Sequence, residues 1–215
     1  MSTPTVTELQ AAWRRRDYST NPVSRAAINL LAEGRPATPA ALAAATGRSI
    51  QQIQAHIDNA RRVGVEVEDG AIVGVALTLR PTEHRFRVRG HDLYTWCGFD
   101  ALFLPIMLGE RAEVASTCPV TGTQIHLTVE PDGTVSAAAP DTVVVGIVGE
   151  EVLSCCAVAG HGSATCAQMP LFASRQAGER WLANHPGVAV VDLTAAREVA
   201  RAYVLALKER ADRAC

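Results

Sequence analysis

Cys97-Gly98-Phe99-Asp100 sets a thiol and a carboxylate three positions apart. At the start of a helix that spacing puts both on one face. A thiol there meets the positive end of the helix dipole, which can draw its pKa below the reference of about 8.5. A carboxylate within reach can take the thiol proton and hand it on. The pair therefore suits a reaction in which a thiolate attacks and a proton is delivered elsewhere. A buried cysteine followed by a solvent-facing helix aspartate has the same spacing, and free cysteine is a common core residue. Spacing alone leaves both readings open.

The other cysteines add candidates without a pattern. Cys118 opens Cys118-Pro119-Val120-Thr121-Gly122, a turn between strands, and reads more readily as a packed core thiol than as a ligand. Cys155, Cys156 and Cys166 fall in an irregular stretch with Gly160, His161 and Gly162. There is no C-x-x-C pair, so a zinc site drawn from positions 97, 118, 155, 156 and 166 lacks support. Cys215 is terminal and receives no role. The six histidines form no ligand pair, the glycines no phosphate loop, and no G-x-S-x-G elbow is present.

These residues need a scaffold, and composition bounds it. The chain has 215 residues, 22 acidic and 20 basic side chains, a net charge of -2, 48% apolar and 5% aromatic residues. That length suits one or two domains with a sizeable core. The balanced charge excludes a broad basic field, and the few aromatics exclude a base-stacking platform. The N-terminus lacks a secretory pattern, and the longest apolar runs, 71–79 and 142–148, fall short of the roughly 20 residues of a membrane span. The expected setting is the cytoplasm, with reduced thiols.

Residues 23–33 have helical apolar spacing and stop at Gly34. Thr38-Pro39 caps and starts a second helix that ends at Gly47, and Ser49 caps a third with Ile50, Ile53 and Ile57 on one face. Residues 63–75 alternate about an Asp69-Gly70 turn. Helices followed by a hairpin describe a winged helix. Its third helix carries Arg61 and Arg62 just after Arg48, but its wing carries Glu66, Glu68 and Asp69, which repel phosphate. A covering role is therefore preferred to DNA contact.

Arg80-Pro81-Thr82 marks a boundary. Beyond it, alternation predicts strands at 84–88, 111–116, 124–129, 134–138, 143–148, 171–173 and 188–193. Helices are predicted over 98–108, bent at Pro105, over 174–184 and over 194–213. The expected fold is α+β, with an N-terminal, winged-helix-like helical domain (1–80). A mixed or antiparallel β-sheet core with flanking helices (81–215) follows it.

Two stretches carry a resemblance: Leu79 to Val129, with Trp96-Cys97-x-x-Asp100 and Cys118-Pro119-x-Thr121-Gly122, and Leu171 to Gly187, LFASRQAGERWLANHPG. With the helical unit, they resemble bacterial organomercurial (alkylmercury) lyase over nearly the whole chain. The resemblance implies a catalytic domain over 81–215 and a site of two cysteines and one aspartate, with Cys97 and Asp100 matching directly. Counting back from Leu171-Phe172-Ala173-Ser174 assigns the second thiol to Cys166, with Cys155 or Cys156 as the fallback. Residues 167–170, Ala-Gln-Met-Pro, depart from the aromatic and histidine-containing stretch of the pattern. Cys118 matches a structural cysteine.

The implied reaction is protonolysis of R–Hg–X to R–H and Hg(II). No cofactor is implied. Hg(II) is a product held by Cys97, Cys166 and Asp100, and external thiols or a mercuric reductase would take it away. The partners are thus the organomercurial and small thiols, with neither nucleic acid nor membrane. Two readings compete: a winged-helix, soft-metal-responsive DNA-binding regulator using Cys97, Cys118 and Cys166, and a lyase-fold relative with changed activity.

Overall fold

The computed structural model describes residues 3–16, 21–62, 64–153 and 165–213. Cys155, Cys156, His161 and Cys215 lie outside them.

The chain opens on a helix that the apolar spacing above did not anticipate, α1 (Val6–Arg15). Thr5 and Glu8 form a reciprocal capping box, each satisfying a backbone donor of the other's turn. Leu9, Ala12 and Trp13 form its buried stripe. Next come α2 (Pro22–Ala32), α3 (Pro39–Thr46) and α4 (Ile50–Arg62). Asn21 and Thr38 cap α2 and α3, each followed by proline in the first turn. Ser49 and Gln52 exchange hydrogen bonds at the start of α4. β1 (Glu66–Glu68) and β2 (Ala71–Val75) are the expected hairpin, and Ala37 bridges to Ile72 of β2.

That hairpin is the edge of a larger sheet. β3 (Leu77–Thr78), β4 (His84–Val88), β5 (His91–Thr95), β6 (Ala112–Thr117), β7 (Gln124–Val129) and β8 (Val135–Ala139) join it in the order β1-β2-β3-β5-β4-β6-β7-β8. Every pairing is antiparallel, so the expected "mixed or antiparallel" sheet resolves to the second option. β4 reads buried-exposed-buried, as one solvated face demands. A second, three-stranded sheet has β9 (Val144–Val148) between β10 (Leu171–Phe172) and β11 (Val188–Asp192). All five residues of β9 are buried, which is why its sequence is unbroken Val-Val-Gly-Ile-Val.

Among the described residues, α5 (Asp100–Leu108), α6 (Arg175–Leu182) and α7 (Leu193–Arg213) close the core. α7 packs on α1, α5 and β9. At that junction Trp13, Phe99, Phe103 and Tyr203 stack in tilted and edge-on pairs with centroids 4.5–5.9 Å apart. Trp13 also donates from Nε1 to the carbonyl of Val148, 3.1 Å away, which fixes α1 against the end of β9. Among the described residues no helix is long and apolar enough to cross a membrane.

Candidate active site

Cys97 lies on the connection between β5 and α5. Trp96 extends the sheet by donating its N–H to the carbonyl of Ala76 (2.9 Å), and the chain then turns into the helix. The Cys97 thiol accepts the backbone N–H of Asp100 (3.3 Å), so it caps the first turn. Asp100 is the first residue of α5, and its side chain points inward, only 5% exposed.

Cys166 arrives from the other side of the core. Met169 donates its N–H to the Cys166 carbonyl in a tight turn, and the following segment is pinned twice: Gly98 N–H to Met169 O (2.9 Å), and Gly146 N–H to Pro170 O (3.0 Å). A Cβ on Gly98 would stand 2.8 Å from Leu171 Cγ and 2.9 Å from the Leu171 backbone N. Glycine therefore follows Cys97 because two backbones meet there, and that meeting is what unites the two thiols. Gly98→Ala is expected to cost about 1–3 kcal/mol and to weaken soft-metal binding as the thiols part. Denaturant midpoints and a metal titration would reveal it, and an unchanged affinity would mean the contact does not position the site.

One ligand atom from each of Cys97, Asp100 and Cys166 lies within 4.8 Å of the other two. Cys166 donates its thiol to Asp100 Oδ2 at 3.8 Å. Cys118 does not join this cluster. Its thiol takes hydrogen bonds from Thr121 and from the backbone at Ala173, Val120 and Thr121, and these outweigh burial to bring it below the usual thiol range. It thereby ties the turn at 118–122 to the Phe-Ala-Ser segment.

The electrostatics reverse one expectation. Cys97 is fully buried, and its thiol is raised well above the usual range. Burial is the main cause, the thiol of Cys166 and the charge of Asp100 add to it, and the N–H of Asp100 counters it only weakly. The helix terminus does not produce a ready thiolate here, because desolvation outweighs one backbone dipole. For Cys166, the hydrogen bond with Cys97 pulls downward, but burial and Asp100 win and the net direction is up; Arg16 pulls slightly down. Burial lifts the Asp100 carboxyl to about 7, against partial relief from hydrogen bonds with the two thiols. Both thiols thus favour keeping their protons until something with high affinity for sulfur displaces them, whereas Asp100, at about 7, is present in both protonation states near neutral pH.

Cys166 faces two cavities. One is small (≈ 50 Å³) and walled by Trp13, Phe103, Met169 and Tyr203, with Asp100 and Arg16 at its polar end. Thr165 also lines it, with a buried hydroxyl that has no hydrogen-bond partner among the described residues. The other is an open cleft of ≈ 500 Å³ that includes Glu83, His84, Thr117 and Ala167; Trp96 and Cys166 line both. Burial takes His84 down to about 4, so its imidazole is neutral, and its Nδ1 lies 2.8 Å from Ser116 Oγ.

The residue reading did not single out Trp13, Arg16, Trp96 or Thr165. The Thr5–Glu8 capping box was the signal for the first two. Trp96 entered only as part of the Trp96-Cys97-x-x-Asp100 element, and nothing local gave its contact: its Nε1 donates to Glu66 Oε1 (3.1 Å), 30 residues away, and Glu66 also accepts from Thr78 Oγ1 (2.6 Å). The acidic hairpin that argued against phosphate contact thus holds a wall of the site.

Three comparisons bear on this arrangement. A family model described as alkylmercury lyase matches residues 77–204. The chain is 40% identical to an alkylmercury lyase of Streptomyces lividans over 184 residues, 85% of this chain and 82% of that one. It is 38% identical to an alkylmercury lyase of Staphylococcus epidermidis, covering 82% and 79%, and 34% identical to one of Bacillus cereus, covering 91% and 90%. A crystal structure of the mercury-bound form of MerB2 shares the fold. Its TM-score is 0.75 at 24% identity, over 94% of this chain and 99% of that one.

Proposed function

This chain belongs to the alkylmercury lyase family, and from that premise we propose that Cys97, Cys166 and Asp100 break the carbon–mercury bond of R–Hg–X by protonolysis. The observation that carries the assignment of residues is the convergence of two sulfurs and one carboxyl within 4.8 Å. Two metal–sulfur bonds of about 2.3 Å each, the length of zinc thiolates, can bridge sulfurs that lie no farther apart than 4.8 Å. Mercury is softer than zinc and prefers two thiolates in a line.

The reaction follows from where the protons sit. The Cys166 thiol already points at Asp100. Mercury bonds to Cys166, and the thiol proton passes to the Asp100 carboxylate. Cys97 bonds next, its proton leaves with X as H–X, and the added thiolate pushes electron density onto carbon. Asp100 then delivers its proton to carbon, giving R–H and Hg(II) on two thiolates. A group near neutral pKa suits both acceptance and donation. The apolar walls of the small cavity seat R beside Asp100 and keep water from competing.

The test is incubation with phenylmercuric chloride and excess thiol, followed by assay of benzene. Catalytic benzene is expected; none would remove the activity. No observation favours the regulator reading over this one. We also propose residues 1–80 as a covering unit and 81–215 as the catalytic unit, an assignment supported by the reach of Trp13 and Arg16 into the small cavity. Small thiols or a mercuric reductase are proposed as acceptors of Hg(II), and the thiol chemistry suits the reducing cytoplasm.

A further inference from the structure

We propose that Thr165 is a specificity-determining residue: its hydroxyl is the hydrogen-bond partner of an uncharged oxygen, such as an ether, that R carries close to mercury. This rests on the lyase reading. Thr165 is 4% exposed, and its Oγ1 has no hydrogen-bond partner among the described residues. A buried hydroxyl in that condition is disfavoured, so it selects an occupant that brings a partner. Among those residues one other buried side-chain nitrogen or oxygen is orphaned, His56 Nε2, which belongs to α4 and lines neither cavity. Thr165 lines the small cavity together with Asp100 and Cys166.

The backbone fixes where the hydroxyl stands. Gln168 donates its N–H to Thr165 O (3.1 Å) and Met169 donates to Cys166 O (3.0 Å), so both residues are held in one turn. The hydroxyl therefore sits beside the sulfur that takes mercury, and an oxygen that meets it must lie within a few bonds of the metal. Carbon has to lie against Asp100 to receive its proton, and R continues from there along the same cavity. Trp13, Phe103 and Met169 cover its carbon atoms. The indole N–H groups in these walls are already engaged, Trp13 with Val148 O and Trp96 with Glu66 Oε1, both at 3.1 Å.

The neighbours give the chemical class. Arg16, at the same polar end, is a donor only, and it already donates to Leu153 O (3.3 Å). A threonine hydroxyl can donate as well, so this end of the cavity offers donors, and an acceptor oxygen fits them. A carboxylate on R is disfavoured, because it would share an enclosed site with Asp100. An all-carbon chain of the same shape fills the space but leaves the hydroxyl bare. The bond changes do not depend on R: carbon–mercury breaks, carbon–hydrogen forms, and mercury stays divalent on two thiolates.

The experiment uses the full chain with excess thiol and two probes, methoxymethylmercuric chloride and n-propylmercuric chloride. These differ by one oxygen in place of one methylene, and that oxygen is not placed for β-elimination. Dimethyl ether and propane are followed by headspace chromatography. The ratio of kcat/KM for the two probes should fall about two- to twelvefold in Thr165→Val, the reach of one uncharged hydrogen bond. Comparing this ratio between proteins cancels the intrinsic reactivity of each mercurial. Thr165→Ser keeps the hydroxyl and should keep the wild-type ratio. The denaturant midpoint of Thr165→Val should be no lower than that of the wild type, since valine has the same shape without the orphaned group. A ratio unmoved by Thr165→Val, or lowered as much by Thr165→Ser, would overturn the proposal. Absence of both gases from the wild type would sink the lyase reading. Equilibrium affinities for the same two mercurials would then decide: a ratio that falls in Thr165→Val supports the role of the hydroxyl, and a constant one removes it.

Discussion

Asp100→Asn is expected to lower single-turnover hydrocarbon release by about 10²–10⁴-fold, the usual reach of a positioned acid–base group, while organomercurial still binds. Asparagine keeps the shape of the side chain and can still pair with the Cys166 thiol, which lies 3.8 Å from the present carboxylate. It cannot carry a proton from sulfur to carbon. The variant should therefore accumulate R–Hg attached to sulfur. Near-normal R–H yield from Asp100→Asn would remove Asp100 from the mechanism.

The pH profile separates two ways of using the same carboxyl. An ordinary aspartate near 3.8 is ionised at neutral pH and has no proton to give at the outset; at about 7, Asp100 exists in both forms. If it first takes a proton from the attacking thiol, the ionised form is the active one, and the single-turnover rate rises with pH through about 7 and then levels. If it begins as the acid, the rate falls over the same interval. The shuttle predicts the rise, and Asp100→Asn should flatten it. Stability should carry the same signature with a fixed sign. Because the folded carboxyl holds its proton more tightly than the unfolded one, its contribution is complete below about pH 4 and is lost as pH climbs to about 7. The Asn variant escapes that loss, so its melting temperature should exceed that of the wild type at pH 8, by the equivalent of about 2–4 kcal/mol, and not at pH 4.

What the sequence made legible is mostly local. Alternation located β4 and β6 through β9 but not β5, and Gly47 and Gly109 end their helices as left-handed caps because turn chemistry is written within a few residues. The cysteine–aspartate spacing at the entry to α5 was local too. Long-range pairings were not. Nothing near Trp96 reveals that Glu66 will accept its indole N–H, and nothing near Gly98 reveals that Leu171 will press on it. The helix-terminus argument for a low Cys97 pKa failed for the same reason. It weighed one local dipole and had no access to the surrounding core, whose desolvation is the larger effect. The helical unit is an intermediate case. Its caps were readable, but its contribution to the site passes through Trp13 and Arg16 of α1, an element announced only by a capping box.

The second thiol has the larger stake. Cys166→Ala and Cys97→Ala should each abolish turnover, a loss at least as great as that of Asp100→Asn, because one thiolate leaves mercury with its carbon still attached. Wild-type protein loaded with mercuric chloride should hold one Hg(II) per chain in a two-sulfur site, visible by X-ray absorption; each variant should bind it more weakly and with one protein sulfur. Cys118→Ala should behave differently. Its thiol bonds to Thr121 and to the backbone at Ala173, so its removal should lower the denaturant midpoint while the two-sulfur mercury site persists. Cys156→Ala should leave turnover intact. A silent Cys166→Ala beside a dead Cys156→Ala would transfer the role to residue 156. The short path from Cys166 to Asp100 would then be a packing contact.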